Sequence, residues 1–147
     1  MLPEALSNQL CSLNPTEDKL CFSAVFTMND KAVITDEWYG KTVIHSNRRF
    51  NYDEAQRIIE TGEGDYAAEI LTLNRLATQL REERFRKGAI AFETDEVKFR
   101  LDELGRPVSA YVKEYKDSNK LIEDFMLLAN RKVAETIQKY KKNHQNP

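Results

Sequence analysis

The sequence is poor in the residues that mark disordered, fibrous or repetitive chains. Its 147 residues include only 5 glycines and 4 prolines, against 41% hydrophobic and 31% charged residues. This composition excludes a low-complexity or collagen-like chain. The length suits one globular domain with a single hydrophobic core.

Cysteine and histidine are also scarce, and this limits the chemistry that the chain can carry. Cys11 and Cys21 belong to no CxxC or Cys/His pattern, so the sequence does not predict a structural zinc site. We expect both thiols to be reduced and buried. Neither His45 nor His144 accompanies a Ser or Cys nucleophile pattern, and we interpret His45 as structural.

Long hydrophobic runs and a large excess of one charge are absent. No stretch approaches the roughly 18 apolar residues of a membrane span, and the N-terminus lacks the features of a signal peptide. The expected location is therefore the cytoplasm. A net charge of −2 gives no global electrostatic case for nucleic-acid binding, so any RNA contact must come from a local site.

Two kinds of local pattern predict an α+β fold. β-branched and aromatic residues over Lys19–Met28 and Ala32–Ser46 predict two antiparallel strands, with Gly40 interrupting the second as a bulge would. Three shorter runs, 89–92, 97–101 and 107–112, with a turn at Asp102–Gly105, predict a second antiparallel meander.

Three segments have helical character. YDEAQRIIE after Asn51 predicts a short helix that stops at Gly62 and Gly64, and the apolar spacing over Tyr66–Lys87 predicts an amphipathic helix closed by Gly88. A long helix is predicted over Asp117–Lys142. Its broad apolar surface should be covered by other parts of the protein, and consists of Leu121, Ile122, Phe125, Met126, Leu128, Ala129, Val133 and Ile137.

Four irregular motifs occur in a fixed order along the chain. They are LPEALSNQLCSLNP at 2–15, HSNRRFNY at 45–52, GAIAFET at 88–94 and SNKLIEDFMLLAN at 118–130. Together they resemble the RNB catalytic domain of the RNase II/RNase R exoribonucleases, and GAIAFET resembles ribonuclease R most. The sequence departs from the family pattern at Asn47, Ala91, Asn119 and Asp124, where a small residue, Glu, His and Glu are usual.

The resemblance implies a fold and an RNA site. The fold would be an incomplete part of an RNB domain: antiparallel strands, an amphipathic helix and a long central helix. Carried over by position, Tyr52 would lie near the terminal nucleotides, Phe92 would stack on the last base, and Glu123 would accept a hydrogen bond from a ribose hydroxyl. Such a carboxylate would distinguish RNA from DNA.

Simpler interpretations of the same residues remain open. Phe92 in a short apolar strand is more often a core residue, and Tyr52 at a helix start more often packs locally. Glu123 would most often pair with a nearby cation such as Lys120. Only the resemblance raises these three residues above such structural roles.

The resemblance also predicts what this segment lacks. The family's aspartate cluster, written roughly DxxxxxDxDD, should precede the LPxxLS segment, and acidic pairs such as Asp53/Glu54, Asp95/Glu96 and Asp102/Glu103 do not replace it. We therefore expect 1–147 to be the central segment of the domain and inactive alone. The full-length parent would be an Mg²⁺-dependent 3′-to-5′ exoribonuclease acting on single-stranded RNA.

Three further expectations follow. If the segment is excised, its exposed apolar surface should favour a homo-oligomer. One alternative is a stand-alone, non-catalytic RNA-binding module. A second is a helix-mediated protein interaction domain whose motif matches are coincidental.

Overall fold

The structure, a computed structural model, describes residues 2–90 and 96–144 and has the α+β architecture that the sequence predicts. A π-helical segment, Ala5–Leu10, precedes two long strands and three helices, and a second pair of strands is inserted before the last helix. The elements are β1 Asp18–Met28, β2 Ile34–His45, α1 Tyr52–Thr61, α2 Ala67–Arg86, β3 Glu96–Leu101, β4 Pro107–Lys113 and α3 Asp117–His144.

Strands β1 and β2 pair antiparallel, from Asp18 opposite His45 to Met28 opposite Ile34. The prediction of a bulge at Gly40 was wrong, because Gly40 lies in regular register opposite Ser23 and the irregularity falls between Thr27 and Met28. Space explains the glycine instead. A Cβ atom at Gly40 would lie 2.4 Å from the ring of Trp38, so the indole occupies the room that a side chain would need.

Helix α1 begins and ends at the predicted signals. The Asn51 side chain accepts a hydrogen bond from the Glu54 amide, and the Glu54 carboxylate accepts one from the Asn51 amide, which completes a capping box. Gly62 ends the helix with a left-handed φ of 72°, a conformation that glycine adopts without steric cost.

The three helices pack on one another and contain most of the buried apolar residues: Ile58 of α1, Ala77 of α2, and Leu121 and Leu128 of α3. Part of the predicted apolar surface of α3 is not covered by the described residues. Ile122, Met126 and Ile137 are 46%, 59% and 54% exposed. Asp124 lies on the buried face because two arginines of α2 pair with it there.

Two ion pairs attach the β1–β2 hairpin to the helices. Lys132 of α3 lies 2.9 Å from Glu37 of β2, and Arg75 of α2 lies 3.3 Å from Asp30 in the turn. The hydrogen bond between Lys132 and Glu37 raises the pKa of the lysine and lowers the pKa of the carboxyl. The turn end of the hairpin is therefore held against α2 and α3.

The second sheet contains two strands, β3 and β4. The carboxylate of Asp102 accepts hydrogen bonds from the amides of Leu104 and Arg106, which fixes the predicted turn. The predicted strand over 89–92 is not found at Ala89 and Ile90, and its other half lies outside the described residues.

Both cysteines are free, but the expectation that both are buried was wrong. Cys11 is exposed and Cys21 is partly exposed. Cys11 directly follows the π-helical segment as its C-cap. Within the described residues, no helix is long and apolar enough to span a membrane.

Candidate functional site

The candidate site is centred on Glu123, in the second turn of α3. The hydroxyl of Tyr115, which precedes α3, donates a hydrogen bond to the Glu123 carboxylate. This bond, with a smaller contribution from burial, raises the pKa of Tyr115 to about 12. The phenol of Tyr52 makes a smaller electrostatic contribution to the same shift, so Tyr52 lies within electrostatic range of Tyr115.

One arginine of α2 approaches Glu123, and a second joins it at the neighbouring Asp124. Arg84 Nη1 lies 3.8 Å from Glu123 Oε1, and its Nη2 donates to Asp124 Oδ1 over 3.1 Å. Arg81 Nε donates to Asp124 Oδ2 over 2.9 Å. The Asp124 side chain is only 3% exposed, and a carboxylate buried to this extent requires such partners.

The N-terminus of α3 is held against α1. The Ser118 amide donates to Gln56 Oε1 over 3.0 Å, and Lys116 Nζ donates to Asp53 Oδ1 over 2.9 Å. The Lys116 amide donates to Asn119 Oδ1 over 3.2 Å, so Asn119 satisfies an amide at the helix start. These contacts bring Tyr52, the first residue of α1, to the same side of the molecule as Glu123.

A cleft of about 430 Å³ lies beside Tyr52. Its wall includes Phe50 and Tyr66, whose rings meet edge to face with centroids 6.3 Å apart. The Arg48 guanidinium lies 4.9 Å from the centre of the Phe50 ring. Tyr52 is 49% exposed and belongs to the lining of this cleft.

Two of the three predicted site residues lie among the described residues, Tyr52 at the start of α1 and Glu123 in α3. Tyr115 hydrogen-bonds Glu123 and lies within electrostatic range of Tyr52, whereas Phe92 lies outside the described residues. Glu123 pairs with Tyr115 and Arg84 rather than with Lys120. His45 pairs with Asp18 at 2.7 Å across the open end of the hairpin, which fits a structural role.

Sequence reasoning missed Tyr115, Arg81 and Arg84. A signal for the arginines was present, because residues three apart on a helix share one face. Arg81 and Arg84 could therefore both reach an acidic partner on a neighbouring helix. Nothing in the sequence marked Tyr115, since its contact with Glu123 depends on how the segment before α3 turns back onto that helix.

The described part of the chain does not contain a set of ligands suited to a two-metal centre. Within 2–90 and 96–144, no three His, Cys, Asp or Glu residues cluster so that they could hold a metal ion. The predicted acidic pairs have local roles instead: Glu54 caps α1, Asp53 binds Lys116, and Asp102 fixes the β3–β4 turn.

An RNB domain family model matches residues 1–144. This chain belongs to the RNB domain family. A DIS3-like exonuclease 2 from Caenorhabditis elegans is 42% identical to it, over 93% of this chain and 18% of the relative. An Inactive exonuclease DIS3L2 from Arabidopsis thaliana is 37% identical, over 93% of this chain and 14% of the relative. The resemblance seen in the four motifs is thus confirmed.

The fold is also similar to part of a solved RNB structure. Mycoplasma genitalium RNase R in complex with ribose methylated single-stranded RNA matches with a TM-score of 0.85 and 26% identity, over 95% of this chain and 22% of that chain. This RNB chain therefore spans less than a quarter of each relative described. The relatives described are named as an exonuclease, an inactive exonuclease and an RNase R.

Proposed function

We propose that this chain is the RNA-contacting central segment of an RNB catalytic domain. The parent would degrade single-stranded RNA from the 3′ end to nucleoside monophosphates, and Tyr52, Phe92 and Glu123 would contact its terminal nucleotides. The observation that carries the proposal is that Tyr115 hydrogen-bonds Glu123 and lies within electrostatic range of Tyr52. Family resemblance alone predicted that these two residues share a site.

Glu123 is the proposed contact to the sugar. Its carboxylate is bound by Tyr115 and Arg84 and remains 43% exposed, so it can accept a further hydrogen bond. A ribose 2′-hydroxyl supplies that donor and deoxyribose does not. Binding of DNA would leave the acceptor without its partner, which favours RNA.

Tyr52 and Phe92 are the proposed contacts to the bases. An aromatic face stacks on any base with about 1–3 kcal/mol, which suits an enzyme that must process every sequence. The exposed ring of Tyr52 supports its role. The role of Phe92 rests on the resemblance of GAIAFET to the family strand.

We propose that the metals of the parent, expected to be Mg²⁺, are bound by residues outside the described part of this chain. A two-metal centre holds its cations about 4 Å apart and needs several converging carboxylates. The isolated chain should therefore bind RNA without a metal and should not hydrolyse it. We further propose that the parent acts in the cytoplasm, which a fluorescent fusion would test.

The test is equilibrium binding of a labelled oligoadenylate to the 147-residue chain in EDTA, with the matched oligodeoxyadenylate as competitor. We expect RNA to bind more tightly, with affinity falling as salt rises. Tyr52→Ala and Phe92→Ala should weaken RNA and DNA binding alike, and Glu123→Ala should reduce only the preference for RNA. Equal affinity for both strands would contradict the role of Glu123, and magnesium-dependent release of nucleotides would contradict the expected inactivity.

A non-catalytic RNA-binding module is the second candidate. The relative from Arabidopsis thaliana named an inactive exonuclease supports it, because a sequence of this type occurs in a protein without that activity. Cleavage assays on the parent, with the binding assay as the common reference, separate the two candidates. The third candidate, a protein interaction domain, requires the motif matches to be coincidental. Membership of the RNB domain family contradicts that requirement.

We also propose that the isolated chain self-associates through exposed apolar side chains. The candidates are Ile122, Met126 and Ile137 of α3 together with Leu20, Phe22 and Val43 of the first hairpin, all more than 40% exposed. Patches of this kind drive association when nothing covers them. Light scattering should report a dimer or larger species, and a monomer at all concentrations would contradict the proposal.

A further inference from the structure

Tyr115 and Arg84 approach the two oxygens of the Glu123 carboxylate from different elements. The Tyr115 hydroxyl donates to Oε2 from the segment before α3, and Arg84 Nη1 lies 3.8 Å from Oε1 on the side of α2. We infer that Tyr115 is a positioning residue, which with Arg84 holds the Glu123 carboxylate in the orientation that accepts a ribose hydroxyl. The inference rests on the proposed function and assigns RNA selectivity to a residue outside the four motifs.

The carboxylate keeps free capacity in this arrangement. An ionised carboxylate offers about four acceptor sites on its two oxygens, and the Tyr115 hydroxyl uses one of them. The Tyr115 side chain is 52% exposed, so the hydrogen-bonded pair lies at the rim of the protein and not in its core. A hydroxyl from solvent or from a ligand can therefore approach the remaining sites.

The orientation is set from the core through Arg84. The same guanidinium donates to the buried Asp124, which Arg81 also binds. Adjacent residues on a helix point about 100° apart, so Asp124 faces the helix interface while Glu123 faces the protein surface. Arg84 thus transmits a fixed position from the helix interface to the Glu123 side chain.

Holding Glu123 in advance affects selectivity as well as affinity. A free glutamate on a helix surface samples several rotamers, and ordering such a side chain on binding costs conformational entropy. If Tyr115 fixes the Glu123 rotamer before RNA binds, the cost of ordering the side chain no longer reduces the binding free energy gained from the hydrogen bond to the ribose hydroxyl. DNA lacks the hydroxyl and gains nothing from the fixed rotamer.

A purely structural role for Tyr115 makes a different prediction. The phenol could serve only to fasten residues 114–116 to α3. Loss of the hydroxyl would then lower stability, and it would weaken RNA and DNA binding by the same factor. The ratio of the two affinities therefore distinguishes positioning from simple attachment.

The experiment compares four proteins in the oligoadenylate and oligodeoxyadenylate assay: the unmodified chain, Tyr115→Phe, Glu123→Ala and Tyr111→Phe. Tyr111 is a matched control, because it is 44% exposed and its ring contacts Arg100 through a cation–π interaction that phenylalanine retains. Glu123→Ala should lower the RNA-to-DNA affinity ratio by about tenfold, the scale of a hydrogen bond to a charged group. Tyr115→Phe should lower it by about threefold to fivefold, and Tyr111→Phe should leave it unchanged.

The outcomes separate the two claims. A ratio that falls in Glu123→Ala but not in Tyr115→Phe overturns the positioning role and leaves the proposed function standing. A chain that binds neither strand, or binds both equally, overturns the proposed function and with it this inference. A fall in the Tyr111→Phe ratio equal to that of Tyr115→Phe also overturns the positioning role, because any lost hydroxyl would then suffice.

Discussion

The helices and the hairpins of this chain differ in how they are stabilised. Helices α1, α2 and α3 bury residues against one another and share an internal ion-pair cluster around Asp124. The hairpins leave large apolar side chains exposed, including Leu20 at 88% and Phe22 at 72% in β1. The candidate site lies on the part that is held from within, so Glu123 rests on a rigid support while the hairpin surfaces remain available for other contacts.

The largest expected effect breaks the helix interface at its ion pairs. Asp124→Ala should lower the free energy of unfolding by about 4 kcal/mol, because removal of one partner leaves two part-buried arginines without their carboxylate. Urea unfolding would measure the change. Asp18→Ala is the control from the hairpin, where the exposed pair with His45 should contribute less than about 1 kcal/mol. Equal losses of unfolding free energy in the two variants would show that the helices and the hairpin do not differ in how strongly their ion pairs stabilise them.

An apolar truncation tests the same comparison without charge. Leu128 is 4% exposed, and Leu128→Ala should cost about 3 kcal/mol through lost burial and the cavity that remains. Phe22→Ala removes a larger side chain from the exposed hairpin face and should cost less than about 0.5 kcal/mol. A greater cost for Phe22→Ala in thermal or urea unfolding would show that the hairpin face is covered in solution.

A smaller effect is expected at the start of α1. Asn51→Ala removes the side chain that accepts from the Glu54 amide and should cost about 1 kcal/mol. Asn51→Ser keeps an oxygen that can cap and should cost a few tenths of that. Because α1 carries Tyr52, fraying of this turn should also weaken RNA binding in the proposed site. Identical stability for both variants would contradict the role of the capping box.

The smallest effect is a pH dependence at Tyr115. Its hydrogen bond to Glu123 raises the pKa of the phenol to about 12 in the folded chain, against about 10 for an unperturbed tyrosine. The bond should therefore stabilise the fold fully below pH 10 and lose that contribution as the pH rises toward 12. Urea unfolding at several pH values should show the difference between the unmodified chain and Tyr115→Phe shrinking over that interval. If the difference in unfolding free energy between the two proteins instead grows with pH, the pKa of Tyr115 is not raised in the folded chain.

The helices and the first hairpin could be predicted from the sequence because their signals are local. Asn51, Gly62 and Gly88 mark helix ends, and apolar spacing marks the helix faces. The orientation of α3 could not be predicted, because the arginines of α2 that draw Asp124 inward lie about 40 residues away along the chain. Hydrophobic periodicity predicted that the face of α3 with Ile122 is buried. The ion pairs with the arginines of α2 instead place Asp124 on the buried face.

The candidate site could also be predicted only in part from the sequence. Irregular motifs and family resemblance pointed to Tyr52 and Glu123, and in the structure Tyr115 hydrogen-bonds Glu123 and lies within electrostatic range of Tyr52. The partners of Glu123 were out of reach, because a tertiary contact between a tyrosine and a glutamate eight residues apart has no sequence pattern. Helix spacing suggested only a local cation such as Lys120 as the simpler alternative.

Asn119 has a consequence for the conditions under which the site can work. Its side chain accepts the Lys116 amide at the start of α3, where the family pattern has a histidine. An imidazole changes its charge between about pH 5 and 8, whereas a carboxamide keeps the same hydrogen-bonding groups throughout. The asparagine therefore keeps its hydrogen bond to the Lys116 amide, at the start of α3, unchanged by mild acidification.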